Sequence, residues 1–97
     1  MAQFDIFELS NGGLVVDCQS DLLSDMDTRF VVPLVLPALV KPTGRLNPGF
    51  EVESQCLLLA PQGAATIPAR ELRHHVGSLA EQGFVILNAL DFLLTGS

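Results

Sequence analysis

Apolar and polar positions alternate in short runs over the first two thirds of the chain, and turn residues separate the runs. Residues 3–9 form a compact segment rich in Phe and Ile. Asn11-Gly12-Gly13 follows. Asn-Gly is a strong hairpin signal, because both central residues of a type I′ turn need positive φ. Residues 14–18 then read as the returning strand. Residues 19–28 are polar and acidic, with Leu22, Leu23 and Met26 embedded. They read as a loop holding at most one irregular turn. Residues 29–40 are apolar and β-branched, but Pro33 and Pro37 each remove a backbone donor. Such a strand must lie at an edge, carry a bulge, or bend between two sheets. Lys41-Pro42-Thr43-Gly44 and Asn47-Pro48-Gly49 are turn clusters. Phe50 and Val52 begin an alternating strand, residues 53–55 turn it, and residues 56–60 continue as a buried one. Pro61-Gln62-Gly63 closes that unit, and residues 65–67 give a last short strand.

The pattern changes after Pro68. Residues 69–75 have the composition of one or two helical turns, stopped by Gly77. Ser78-Leu79-Ala80-Glu81 has the form of a capping box, in which the Ser hydroxyl accepts from the third backbone N–H and the Glu reaches back. A helix is predicted from there to about Leu94. Leu79, Ile86, Leu87, Leu90, Leu93 and Leu94 form its apolar stripe, with Val85, Ala89 and Phe92 outside it. A helix apolar over most of its circumference is covered on more than one side. It is either wedged in its own core or shared with a second subunit or a target. The architecture that follows is one domain, residues 1–97. It is a small bent antiparallel sheet or partial barrel with a C-terminal α-helix.

Composition sharpens this picture. Of the 97 residues, 48% are hydrophobic and 16% charged. Charged residues make up about 25% of an average chain, so disorder is excluded. This is more apolar surface than one small core hides, and a homodimer is the simplest cover. The net charge is −6, and the five basic residues, Arg29, Lys41, Arg45, Arg70 and Arg73, form no run. Binding to a duplex needs a basic face, so direct contact with nucleic acid is not expected. Anionic membrane surfaces are disfavoured for the same reason. No apolar stretch approaches the ~20 residues of a spanning helix. The first nine residues carry Asp5 and Glu8 and no cation, unlike a secretory leader. Cys18 and Cys56 are far apart and read as reduced, semi-buried thiols in a cytoplasmic protein.

Catalytic constellations are scarce. His74-His75 would point about 100° apart on a helix, and no third ligand lies at a zinc-like spacing. The six serines have no nucleophile context, and there is no phosphate-binding glycine loop. Cys18 has Asp17 beside it, which opposes thiolate formation. The cluster Asp21, Asp25, Asp27 lacks the glycine and terminal Glu of a calcium loop. No metal or cofactor is expected, and the residues point to a binding protein and not an enzyme.

Asp17-Cys18-Gln19-Ser20-Asp21-Leu22-Leu23, followed some ten residues later by Val31-Val32-Pro33-Leu34, resembles the CcdB family of toxins. The opening Gln3-Phe4, the stretch from Pro48 to Thr66-Ile67-Pro68, and a helix ending in Gly plus one residue add to the likeness. It spans essentially the whole chain. The resemblance implies an SH3-like barrel sheet with a C-terminal helix, the fold shared by CcdB and MazF toxins, dimeric through sheet and helix. It also implies the toxin of a type II toxin–antitoxin system. Such a toxin binds the A subunit of DNA gyrase, traps the cleaved-DNA complex, and is neutralised by a cognate CcdA-like antitoxin.

By the same resemblance the partner-binding residues are Ser20, Leu22 and Leu23 after the second strand, with Leu94 and Gly96 at the C-terminus. One of the two loop leucines is expected to pack inward. Thr95 and Ser97 stand where the best-known member has Trp and a terminal Ile, and Asp91 where it has Asn. A buried interface Trp is a frequent hot spot, worth at least ~2 kcal/mol. A second reading follows: a binding module of this fold that has lost gyrase poisoning and engages antitoxin or another target. A third is a MazF-type ribonuclease, with Arg29 and Thr28 as the nearest phosphoryl-transfer pair. The acidic charge opposes it.

Overall fold

The computed structural model describes residues 2–96. It contains seven strands among those residues: β1 (Asp5–Glu8), β2 (Leu14–Asp17), β3 (Thr28–Val35), β4 (Gly49–Val52), β5 (Gln55–Leu59), β6 (Ala65–Pro68) and β7 (His74–Ser78). One α-helix, α1 (Gly83–Thr95), follows them. The strands form a single antiparallel sheet in the order β4-β5-β3-β2-β1-β7, with β6 paired to β3. The result is a curled half-barrel with the helix laid into it, as the turn pattern predicts.

β3 is the pivot. On one side it pairs with β2 from Val31 to Leu34. On the other it pairs with β6 from Thr28 to Val31, then with β5 at Leu34 and Val35. Pro33 lies where that partner changes. Its carbonyl accepts from Ala60 N (2.9 Å), so its missing donor faces the gap between β6 and β5. Of the places open to such a proline, an edge, a bulge or a bend between two sheets, none is met literally: Pro33 lies within a single sheet, at the point where β3 changes partner. Gly63 fits against it, for a Cβ there would lie 3.0 Å from the Pro33 Cγ.

The inner strands are buried on both faces. Ile6, Val16, Val32 and Leu34 point to the main core, where Leu79, Ile86 and Ala89 cover them. Phe7, Val15 and Val31 point the other way, onto Leu72. This explains why their apolar runs are continuous and do not alternate.

Of the one or two helical turns expected over residues 69–75, only the first forms. Ala69–Glu71 is a single 3₁₀ turn, and His74–Ser78 is strand β7 on the free edge of β1. Pairing of Glu8 with His74 and Phe7 with His75 outweighs local helical composition. Gly77 is opposite Ile6, beside a register shift, and stops no helix. The capping box is also displaced. The Ser78 Oγ accepts from Ala80 N at 3.1 Å and opens a 3₁₀ turn, Ala80–Gln82. The α-helix starts only at Gly83 and has no side-chain cap.

Two hairpins differ from their expected turns. At Asn11-Gly12, only Gly12 has positive φ (87°). Gly12 N donates to Leu9 O and Leu9 N to Gly13 O. This is a three-residue loop with a glycine bulge, in place of the type I′ turn. The weakly signalled turn between β4 and β5 is the true two-residue type. Val52 pairs with Gln55, and Glu53 and Ser54 both have positive φ (52° and 65°). Each such non-glycine residue costs roughly 1–2 kcal/mol, carried here by the flanking ladder.

Candidate functional site

The segment between β2 and β3 is tied down through the side chains of Gln19, Ser20 and Asp21. The Ser20 Oγ accepts from Leu22 N (3.2 Å) and caps the 3₁₀ turn Asp21–Leu23. The Asp21 carboxylate accepts from Gln3 N (2.8 Å) and fastens the turn to the N-terminus. Gln19 lies beneath the loop. Its Nε2 donates to Leu23 O and its Oε1 accepts from Phe30 N, both at 3.0 Å. With the polar groups so committed, the apolar side chains face solvent. Leu22 is 94% exposed, Leu23 49% and Met26 50%. Neither leucine packs under the loop, contrary to expectation.

A buried ion pair supports this loop. Asp17 ends β2 and Arg29 lies near the start of β3, and both are essentially inaccessible. The Arg29 Nε donates to Asp17 Oδ2 at 2.8 Å, and the other oxygen accepts from Gln19 N at 3.1 Å. The Arg29 Nη2 lies 2.7 Å from the same Oδ2, an ionic approach without hydrogen-bond alignment. Nη1 has no acceptor among the described residues. Arg29 therefore belongs to the scaffold. It faces no groove in which RNA could lie, and the ribonuclease reading loses its cation.

The second candidate group is at the end of α1. Gly83, Ile86 and Ala89 are its buried positions, with Leu79 and Leu90 packed alongside. The predicted stripe is right for Leu79, Ile86 and Leu90. It is wrong for Leu87, Leu93 and Leu94, which are 48%, 41% and 80% exposed, and for Ala89, which it leaves outside and which is fully buried. Phe84, 78% exposed, joins Leu87 and Leu94. The spacing 84, 87, 91, 94 puts these residues on one side of the helix, with Asp91 interrupting an apolar seam. Phe84, Leu87 and Met26 were missed as surface residues. The seam's alternating steps of three and four are the signal that could have found Phe84 and Leu87; Met26 has no such signal.

The helix ends at Gly96, whose φ of 76° lets its N–H donate to Phe92 O (2.8 Å). A left-handed residue past the last turn is the usual place for glycine. The Thr95 Oγ1 donates to Asp91 O at 2.8 Å, back along the helix. Arg45 lies 4.9 Å over the Phe92 ring, a cation beside the negative end of the helix. The C-terminal Ser97 lies outside the described residues. The two groups are thus held by different elements: the loop by β2, β3 and the N-terminus, the helix end by the 3₁₀ turn Gly44–Leu46.

No group of three or more His, Cys, Asp or Glu suited to a metal occurs among the described residues. His75 packs edge-on against Phe7, with its Nε2 3.5 Å from Asp5 Oδ2. Cys56 is exposed, not semi-buried, while Cys18 is buried and contacts Val16 O. Burial, and then the Asp17 carboxylate, push the Cys18 thiol from 9.0 up to about 12. Iodoacetamide at mildly alkaline pH is therefore expected to label Cys56 and spare Cys18, as read by peptide mass. The unfolded chain releases the Cys18 proton above about 9 and the folded chain holds it to about 12, so stability falls as pH rises through that window. Urea unfolding measured across that window should show a smaller fall for Cys18→Ala than for the wild type. Equal labelling of both thiols in the folded protein would contradict this.

A curled half-barrel that exposes two apolar groups, one on a loop and one along a helix, is suited to binding a partner. The chain belongs to the CcdB family, whose model, described as CcdB protein, matches residues 3–96. Family membership points to the toxin of a toxin–antitoxin pair, a binding protein and not a classical enzyme. A search of the curated proteins returned no match. Among the described residues, no helix is long and apolar enough to cross a membrane.

Proposed function

We propose that this protein is a cytoplasmic, homodimeric toxin of a type II toxin–antitoxin pair. Its target is the A subunit of DNA gyrase, which it traps on cleaved DNA until a cognate CcdA-like antitoxin removes it. Family membership supports the reading, and one observation carries it. Leu22 and Leu94, at the positions which the resemblance assigns to the target, are 94% and 80% exposed. Burying a leucine side chain is worth about 1.5–3 kcal/mol. Leu22 with Leu23 on the loop, and Leu94 with Leu87 and Phe84 along the helix, supply two apolar contacts without any catalytic group. Further exposed apolar residues on the helix, such as Val85, favour a second subunit.

A second reading has its own observation. Thr95 turns its hydroxyl back onto Asp91 O, so no aromatic anchor projects where the best-known family member has Trp. On that reading the fold keeps its antitoxin and has lost gyrase.

The test is a DNA-cleavage assay with gyrase from the source organism and from a laboratory bacterium. Linear DNA on denaturation, abolished by Leu22→Asp and by Leu94→Asp in variants that still fold, is the expected result. Cleavage only after Thr95→Trp with Ser97→Ile would select the second reading. No cleavage with any of these proteins would remove gyrase as the target.

A further inference from the structure

A groove of about 480 Å³ opens between the tips of the two hairpins, away from the loop and helix end described above. Leu14, Leu34 and Leu57 line it, and Leu36 and Leu39, 44% and 72% exposed, line it further. Its charged lining residues are Glu8 and Glu53, both exposed, and no lysine or arginine lines it. The groove is a gap in the sheet. β3 leaves after Val35, which pairs with Leu58, while β5 runs on toward its hairpin. Leu59 N donates toward β4, to Pro48 O. Alternation along β5 then turns the Cys56 N–H and C=O to the side that β3 has vacated.

We propose that this groove binds an extended segment of a partner protein, with two or more aliphatic side chains flanked by lysine or arginine. The apolar lining takes alternate side chains, the open edge at Cys56 supplies main-chain pairing, and Glu8 and Glu53 pair with the flanking cations. A second copy of this chain is a poorer occupant, because its net charge of −6 would meet the two glutamates. The proposal goes beyond the toxin reading and shares no residue with the target surface. A partner held here could bind while the loop and helix end are occupied.

The probe is a fluorescent, acetylated octapeptide with four central Val and Leu residues and two lysines at each end. Its counterpart carries glutamates in place of the lysines. Fluorescence anisotropy at low salt is measured with the full chain, Glu8→Lys/Glu53→Lys and Leu39→Asn, with circular dichroism and gel filtration on each. The lysine peptide should bind the wild type at least tenfold tighter than either variant. The charge-reversed protein should prefer the glutamate peptide, and high salt should shrink both differences. Equal binding of the lysine peptide by wild type and charge-reversed protein overturns the proposal, as does no binding. A change in oligomeric mass for Leu39→Asn also overturns it, because a second copy would then be the occupant. None of these readouts involves gyrase or an antitoxin, so they stand or fall apart from the function proposed above.

Discussion

Asp17→Ala should be the most damaging single polar substitution in the described chain, with a loss of about 3–5 kcal/mol of folding stability. The Arg29 side chain is 1% exposed, and among the described residues its one charged partner is the Asp17 carboxylate. Removing that partner strands a cation in the interior. It also takes the acceptor from Gln19 N, and Gln19 holds both Leu23 O and Phe30 N. The cost therefore spreads to the loop that presents Ser20, Leu22 and Leu23. The pair itself need not be a large net stabiliser, since Nη1 already lacks an acceptor among the described residues and two desolvated ions are expensive. Replacing both, as in Asp17→Leu/Arg29→Met, should cost far less than the two single substitutions summed. Urea unfolding of the wild type, both single variants and the double variant gives the coupling directly. A loss under about 1 kcal/mol for Asp17→Ala would show that water reaches Arg29 and that the pair is not a buried one.

That ion pair was not legible from the chain. Asp17 and Arg29 are twelve positions apart, and nothing local marks either as buried. Only the β2–β3 register, with Asp17 opposite Val31, brings them to one face. Turn chemistry was far more readable. Pro33 signalled an interruption of the ladder and lies where β3 changes partner, and the Gly-Pro clusters bracketed β4, β5 and β6 closely. β7 was unreadable for a different reason. His74-His75-Val76-Gly77-Ser78 has no alternating pattern, and its strand state comes from the β1 edge on which it lies.

The candidate site divides in the same way. Ser20, Leu22 and Leu23 are singled out by resemblance alone; the structure shows the two leucines exposed on a turn whose Ser20 hydroxyl and Asp21 carboxylate are bonded internally. Phe84 and Leu87 were hidden by composition. A helix that is apolar on nearly every side carries little phase information. Its core face is set by where the sheet leaves room, at Gly83, Ile86 and Ala89. The smallest of these residues fixes that phase.

Gly83→Ala should destabilise the protein by about 1–3 kcal/mol, although propensity alone predicts a gain of about 1 kcal/mol. The backbone at Gly83 is helical, with φ −55° and ψ −37°, so alanine suits it conformationally. The obstacle is the Phe4 ring. A Cβ at position 83 would lie 2.5 Å from Cε2, 3.0 Å from Cδ2 and 3.2 Å from Cζ. The ring has little freedom to yield. Phe4 itself has φ 73°, its N–H donates to Asp17 O, and its carbonyl accepts from Leu79 N at 2.8 Å. Those bonds tie the residue to β2 on one side and to the approach to α1 on the other. Relief must then come from the helix moving outward, which opens the core at Ile86 and Ala89 and shifts the seam of Phe84, Leu87 and Leu94. Thermal unfolding should report the loss as a fall of about 4–8 °C per kcal/mol for a domain of this size. Phe4→Leu/Gly83→Ala should recover part of the penalty that the two single variants predict together, because the shorter side chain vacates the contested space. If Gly83→Ala matched or exceeded the wild type, helix propensity would have won, and the ring contact would not be what sets the height of the helix above the sheet.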